Sequence, residues 1–393
     1  MSKHVHSAKL IWRDLQVNPK ELHLDTLKCG QTFRWRHAND LWSCVLNGKL
    51  YTLKQTSSTV LYGILPEHEP EEQQMKSTLR DYFQLDQTSL EQCYQRWSRL
   101  DKNFKEKAPY FQGIRMLRQN PWENLISFIC SSNNNIARIS KMVQNLCIHY
   151  GPEIVTLDGV TYYDFPSIET LAKLKKGVLE EKLRQLGFGY RAKYIAQTTL
   201  QVYAKEQEQK DWLMSLRHAS YSDAKQALVS LSGVGSKVAD CVCLMSLDHP
   251  EAIPVDTHVW QIALRDYGFG NKKGKTLTTR LYDEVGDHFR QLFGDYSGWA
   301  HSVLFTADLR AFEDRLRDVK KEDNDNKDVS IGQEESTTMA TTMATTTMDG
   351  THHNDKKKVM IKKGKTNNKK RLLQTETSSE EMVVRRSARF KKS

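Results

Sequence analysis

Apolar residues recur along this chain with two different periods. From about residue 10 to residue 64 apolar and polar positions alternate in short runs broken by Gly and Asn, as in Leu41-Trp-Ser-Cys-Val-Leu-Asn-Gly-Lys-Leu-Tyr51. A period of two is that of a strand with one buried face. Asn47-Gly48, in the middle of that run, supplies two residues that accept positive φ, the signature of a two-residue hairpin. Antiparallel strands are predicted here. From about residue 71 the apolar spacing changes to three and four, and helices are predicted over 75–85, 90–97, 122–130, 135–150, 167–174, 179–186, 190–205, 212–216, 221–231, 236–247, 257–266 and 275–292, with a last one from 296 to about 310. The fold class is therefore α+β: an N-terminal antiparallel β-sheet subdomain with flanking helices over 1–110, packed on a mostly α-helical body over 111–317. Beyond residue 318 the apolar period is lost in a charged stretch, Thr/Met repeats and a basic run, so a disordered basic tail is predicted over 318–393.

Charge changes this picture only locally. The net charge is +10 and the sequence pI about 9.1, a balance that suits a polyanionic partner. Residues 320–393 hold 17 Lys+Arg against 11 Asp+Glu and account for more than half of the excess. The folded part is thus only mildly basic, and any nucleic-acid footprint on it has to be a patch. Cysteine number argues against a disulfide framework: there are seven, with no secretory leader and no long apolar span. A reducing intracellular compartment and no membrane contact are expected.

Candidate chemistry centres on Leu231-Ser-Gly-Val-Gly-Ser-Lys237-Val-Ala-Asp240. Gly233 and Gly235 allow positive φ and close approach to the backbone. With the N–H groups of Ser236 and Lys237 at a helix start they offer a site for one phosphate, held without reading sequence. An amine nucleophile must be partly neutral near pH 7, against a reference pKa of roughly 10.4, and partial burial and the positive end of a helix dipole both favour the neutral form. Nineteen positions on lies Pro254-Val-Asp256-Thr-His258. Asp256 would stabilise positive charge on a sugar ring, although Asp after Pro-Val and before Val259-Trp-Gln-Ile is also an ordinary N-cap. Each element alone reads more simply as structure; a glycine hairpin, a lysine and a trailing aspartate in this order point to attack on a sugar carbon in DNA.

The pair resembles the helix-hairpin-helix superfamily of base-excision glycosylases. Four longer runs narrow the resemblance to eukaryotic 8-oxoguanine DNA glycosylase: Cys29-Gly-Gln-Thr-Phe-Arg-Trp35, Ser127-Phe-Ile-Cys-Ser-Ser-Asn-Asn-Asn-Ile-Ala-Arg138, Gly187-Phe-Gly-Tyr-Arg-Ala-Lys-Tyr194 and Gly298-Trp-Ala-His-Ser-Val-Leu-Phe-Thr-Ala-Asp-Leu-Arg310. It runs in order from about Leu22 to Arg310. The implied body carries the helix-hairpin-helix at about 221–247 and the aspartate loop at 254–258, with the active site in the cleft between subdomains.

The resemblance implies roles for particular residues. Lys237 would attack the anomeric carbon and Asp256 support the cationic transition state. Gly30 would offer a backbone carbonyl to the N7–H that distinguishes 8-oxoguanine from guanine. Cys241, one turn after Lys237, and Phe305 would sandwich the extruded purine, with Met245 lining the same pocket; packing in the core explains Cys241 and Met245 as well. Asn133 would fill the gap left in the duplex, Arg138 and Arg191 would bond the estranged cytosine, Tyr190 would wedge the stack, and His258 would meet a phosphate. An Asn run also reads as a turn or cap, and His258 as a solvent-facing residue of a first helical turn. One position departs from the family: His301 stands where Gly-Trp-Ala is usually followed by Gln. A histidine that titrates near pH ~6.5 would make base contacts pH-sensitive.

The expected partner is damaged double-stranded DNA and a monomer is expected. No cofactor is required: the branch of the superfamily with an iron–sulfur centre carries four clustered cysteines after the catalytic domain, and no cysteine follows Cys243. A structural cation at the hairpin is left open. Basic clusters at 356–365, 369–371 and 385–389 suit nuclear import, with DNA tethering or a plain solvated run as alternatives, and a mitochondrial form is left open. The competing functions are a glycosylase for another damaged base and a non-catalytic helix-hairpin-helix module that only holds DNA backbone.

Overall fold

The computed structural model of the chain describes residues 3–272 and 276–315. The predicted tail and its basic clusters lie outside the described residues. A five-stranded antiparallel sheet forms first, in the order β2 (Ile11–Asp14), β6 (Val60–Ile64), β5 (Lys49–Gln55), β4 (Leu41–Leu46), β3 (Arg36–Ala38). Its register is set by the expected turn: Asn47 and Gly48 both have positive φ, 50° and 76°, and Leu46 faces Lys49.

The helices follow the predicted series with ends shifted by a few residues: α1 (Glu72–Tyr82), α2 (Leu90–Leu100), α3 (Lys102–Lys107), α4 (Pro121–Ile129), α5 (Ile136–Tyr150), α6 (Ile168–Ala172), α7 (Val178–Gln185), α8 (Arg191–Glu208), α9 (Trp212–Ser215), α10 (Tyr221–Val229), α11 (Ser236–Ser246), α12 (Thr257–Asp266), α13 (Thr279–Phe293) and α14 (Ser297–Asp308). Side-chain caps fix several starts: Asn120 before Pro121, Asn135, Ser220, Asp256 and Thr278 each accept a backbone N–H of the first turn. α13 starts at Thr279, after the Thr278 cap, and not at 275.

Two features were not predicted. Helix α3, capped by Asp101, buries Phe104 and no other side chain, too short a pattern to show a helical period. The second is a hairpin inside the region read as wholly helical. β7 (Glu153–Leu157) and β8 (Val160–Tyr163) turn at Asp158-Gly159, both with positive φ, and β7 pairs in parallel with β1 (Lys3–Val5). Asp-Gly between two β-branched runs is the same signal as Asn47-Gly48.

Packing does not follow chain order. The sheet and α1 share one core around Tyr51, Leu53, Tyr62 and Phe83, and the three-stranded sheet closes on the larger one through Val45, Leu50, Val155 and Leu157. Helices α2 and α3, expected to flank the sheet, bury Trp97 and Phe104 in the core of the helical body. Cys29 and Phe33 enter that same core, so the segment leading into β3 leaves the sheet and crosses to the helices. It brings Gly30 with it.

Candidate active site

The hairpin before Lys237 is anchored from α8. Thr198 Oγ1 donates to the Ser232 carbonyl at 2.6 Å, and Gln201 Oε1 accepts from Ser232 N at 2.8 Å. Gly233 has φ +76°, and a Cβ there would lie 2.6 Å from Tyr194 Cβ and Cγ. Only glycine satisfies both conditions. Gly235 does not use the positive φ open to it: at φ −96°, ψ 178° it is the extended N-cap of α11, with nothing within 4 Å of a Cβ position. Past it, the N–H groups of the first turn of α11 have no intrahelical acceptor, as at any helix start.

Lys237 is half-buried. Its Nζ donates to Ser131 Oγ at 3.0 Å and lies 4.9 Å from the centre of the Phe128 ring. Asp256 caps α12, its Oδ1 accepting from His258 N at 2.9 Å and Val259 N at 3.0 Å. The cap explains Oδ1 fully and leaves Oδ2 outside it. Ser131 and Phe128 were missed by the sequence reading. Both lie within the Ser127–Arg138 run, but nothing in their spacing ties them to an amine more than a hundred residues away.

One small cavity, about 50 Å³, collects the predicted pocket: Gly30, Lys237, Cys241, Met245, Asp256, His301 and Phe305 all line it, along with Gln31, Phe128 and Ser302. Gly30 is required by its φ of +81°, since a Cβ there would make only ordinary contacts with Ile136 and Phe305. Burial pushes the Cys241 thiol up to about 12, so it meets the cavity as a neutral, apolar group. His301 is buried, yet neither ring nitrogen has a hydrogen-bond partner. Burial, opposed by the charge of Asp256, holds its pKa down at about 4. The expected titration near neutrality is corrected accordingly: His301 is a neutral imidazole at pH 7, one nitrogen a donor and the other an acceptor.

A second group forms on the loop before α5. Asn135 is the α5 cap and Asn134 donates to the Cys130 carbonyl, so ordinary turn chemistry explains two of the three asparagines. Asn133 is exposed with φ +47°. Tyr190, 48 % exposed, donates its hydroxyl to the Ser132 carbonyl. Arg191 is buried and its guanidinium already donates to the carbonyls of Ser132 and Asn133, whereas Arg138 is exposed and donates to Gly187 O at 3.3 Å. His258 is exposed on the first turn of α12 and meets Phe305 edge-on, ring centres 6.0 Å apart. Among the described residues no cluster of three or more His, Cys, Asp or Glu side chains could hold a metal ion, and no helix is long and apolar enough to cross a membrane.

Comparison with known proteins gives the family of the chain. Residues 14–125 match the 8-oxoguanine DNA glycosylase N-terminal domain, and residues 126–287 the HhH-GPD superfamily of base excision DNA repair proteins. The chain is 41 % identical over 307 residues to N-glycosylase/DNA lyase OGG1 of Arabidopsis thaliana, covering 76 % of this chain and 81 % of that protein. It is 39 % identical over 334 residues to the N-glycosylase/DNA lyase of Saccharomyces cerevisiae, covering 75 % and 85 %. The crystal structure of a Clostridium acetobutylicum 8-oxoguanine glycosylase/lyase, in complex with double-stranded DNA containing cytosine opposite 8-oxoguanine, superposes with a TM-score of 0.62 at 28 % identity, over 73 % of this chain and 91 % of that one. The family match over the helical body and the two relatives make the chain an HhH-GPD base-excision protein. Within that class the chain belongs to the eukaryotic 8-oxoguanine DNA glycosylase family.

Proposed function

We propose that this chain is a bifunctional DNA glycosylase and abasic-site lyase that removes 8-oxoguanine opposite cytosine from duplex DNA, in base excision repair. The observation that carries the reading is the single cavity shared by the Lys237 amine, the Asp256 carboxylate and the Cys241 and Phe305 surfaces. A base inside a duplex is out of reach, so the nucleotide is extruded into that cavity, its base between the Cys241 thiol and the Phe305 ring. Gly30 offers a carbonyl to the lesion's N7–H, and a neutral His301 offers one donor and one acceptor to the base edge.

The chemistry then runs on one nucleophile. Lys237, having lost a proton, forms a bond from Nζ to C1′ as the bond from C1′ to the base breaks, and the base leaves with that electron pair and is protonated. Asp256, with Oδ2 outside its cap, stabilises the positive charge that develops on the sugar. Ring opening gives an iminium between Nζ and C1′. Loss of a proton from C2′ expels the 3′ phosphate, and water releases the lysine. No step calls for a metal or cofactor.

Outside the cavity, Asn133 fills the vacated stack with Tyr190 wedged beside it. Arg138, exposed and held by one long hydrogen bond to the Gly187 carbonyl, is the guanidinium better placed to meet cytosine N3 and O2. Arg191 can join it only by giving up the Ser132 and Asn133 carbonyls, so binding of cytosine would reshape the loop that carries Asn133. The helix-hairpin-helix N–H groups and His258 hold phosphates. The basic clusters of the tail direct nuclear import, testable by fusing residues 356–393 to a fluorescent reporter.

The decisive experiment is reductive trapping with borohydride on a duplex carrying 8-oxoguanine opposite cytosine, beside the same lesion opposite adenine and a Lys237→Gln protein. A covalent product with the unaltered chain, stronger opposite cytosine and absent with Lys237→Gln, is expected. Base release without a covalent product would replace the amine by water as nucleophile. Neither release nor product would leave a DNA-binding module.

A further inference from the structure

Three residues past Lys237, α11 carries a carboxylate with no place in the chemistry above. Asp240 is completely buried. Its Oδ1 accepts from the Tyr221 hydroxyl at 2.6 Å, and its Oδ2 accepts from the Tyr282 hydroxyl and from Lys225 Nζ at 3.0 Å. Burial pushes the carboxyl pKa up, and Lys225 and the two phenols oppose that shift. Such a group is costly unless fully paired, and here every partner comes from a different turn or helix.

What sets Tyr282 apart from Tyr221 is its second contact. The Tyr282 hydroxyl accepts the backbone N–H of Val255 at 3.3 Å. Val255 is buried and immediately precedes Asp256, so without that oxygen its N–H would be an orphan in the core. A phenol has one proton. The Ile253 carbonyl lies 3.3 Å away, but the closer, charged Asp240 oxygen is the stronger acceptor. With the proton committed to Asp240, a lone pair of the hydroxyl is left for Val255. The side chain on α13 thereby connects the helix that bears the nucleophile to the segment that bears the catalytic carboxylate.

We propose that Tyr282, oriented by Asp240, is a positioning residue for base excision: it fixes the Pro254–Asp256 segment against α11 and so sets the placement of the Asp256 carboxylate relative to the Lys237 amine. The inference rests on the roles given above to Lys237 and Asp256.

The test compares Tyr282→Phe with Tyr221→Phe under single-turnover conditions with excess enzyme, using the 8-oxoguanine·cytosine duplex, with borohydride trapping of the unaltered chain as the control for the underlying mechanism. Both substitutions remove one hydroxyl from Asp240, but only Tyr282→Phe leaves Val255 N–H unpaired. Tyr282→Phe is expected to slow excision on the order of 10-fold, since misplacing a catalytic group by about 1 Å can cost up to ~100-fold. Its Kd for a duplex holding a reduced abasic-site analogue should stay within about twofold. Tyr221→Phe is expected to lower the melting temperature without a comparable loss of rate. In an Asp256→Asn background, Tyr282→Phe should cost little more, because its effect runs through that carboxylate. An unaltered rate for Tyr282→Phe, equal rate losses for the two phenylalanine variants, or a full additional loss in the Asp256→Asn background would each overturn the proposal while leaving the lysine mechanism standing. Absence of a trapped product with the unaltered chain would overturn both. If Tyr282→Phe does not fold, Asp240→Asn, which removes the charge that orients the phenol, serves under the same criteria.

Discussion

At the scale of single residues, burial decides what the cavity can do. His301 has an ordinary pKa of 6.5 and is held at about 4 by burial, so the unfolded chain binds a proton between those values that the folded chain does not. Stability contributed by keeping this ring neutral is therefore present above pH 6.5 and is lost as the pH falls towards 4. At 1.36 kcal/mol per unit the loss amounts to about 3 kcal/mol. Denaturant unfolding from pH 7 to pH 4.5 should show this slope in the unaltered chain and a shallower one in His301→Gln. Parallel curves would mean the ring is not held neutral by its surroundings. Near pH 7 the same argument gives His301 no titration, so changes in excision rate between pH 6.5 and pH 8 must come from other groups. The chemical identity of these side chains was readable in the sequence. The neutrality of His301 was not, because a pKa is set by the atoms packed around a group and not by its neighbours along the chain.

At the scale of elements, the hairpin before α11 divides its two glycines between two duties. Gly233 is demanded by the fold, through its φ of +76° and the Tyr194 side chain against it. Gly233→Ala is expected to cost at least the ~1–2 kcal/mol of a left-handed conformation, with the clash in addition. Gly235 sits in an extended conformation with open space where a Cβ would be. Gly235→Ala should cost no more than about 1 kcal/mol, the usual range for exchanging Gly and Ala at an N-cap, yet weaken binding to duplex DNA by crowding the phosphate. Urea unfolding and a DNA titration on both variants separate the two effects; a stability loss at Gly235 matching that at Gly233 would contradict the division. The sequence marked both glycines but could not tell them apart. The turn at Asp158-Gly159 is the reverse case: the turn residues carry the signal, but two short strands between long helical runs contribute little to any periodicity.

At the scale of the whole molecule, the cavity exists because segments far apart in the chain are clamped together. Arg115, with its side chain fully buried, is the best example. Its guanidinium pairs with Glu21 at 2.8 Å, donates to the carbonyls of Phe83, Gln84 and Thr88, and lies 5.4 Å from the centre of the Trp299 ring on α14. Its own carbonyl accepts from Gln31, beside Gly30 in the cavity wall. Arg115→Met would strand those acceptors and is expected to destabilise the fold by about 3–5 kcal/mol. A melting temperature within a degree or two of the unaltered chain would show that the clamp is dispensable.

The sequence by itself determined the fold class, the order of nearly all helices, the hairpin at Asn47-Gly48, and the candidate lysine and aspartate to which the proposed chemistry is assigned. These rest on local rules: periodicity, caps, turn residues and short motifs whose atoms are neighbours in the chain. Only the tertiary structure decided that Gly30 crosses from the sheet subdomain into the helical core, that Ser131 holds the Lys237 amine, that Arg191 is spent on the Asn133 loop, and that Tyr282 links Asp240 to the backbone before Asp256. Each of these depends on a contact between residues tens to hundreds of positions apart. Such contacts are fixed by how the cores close, which no local pattern encodes.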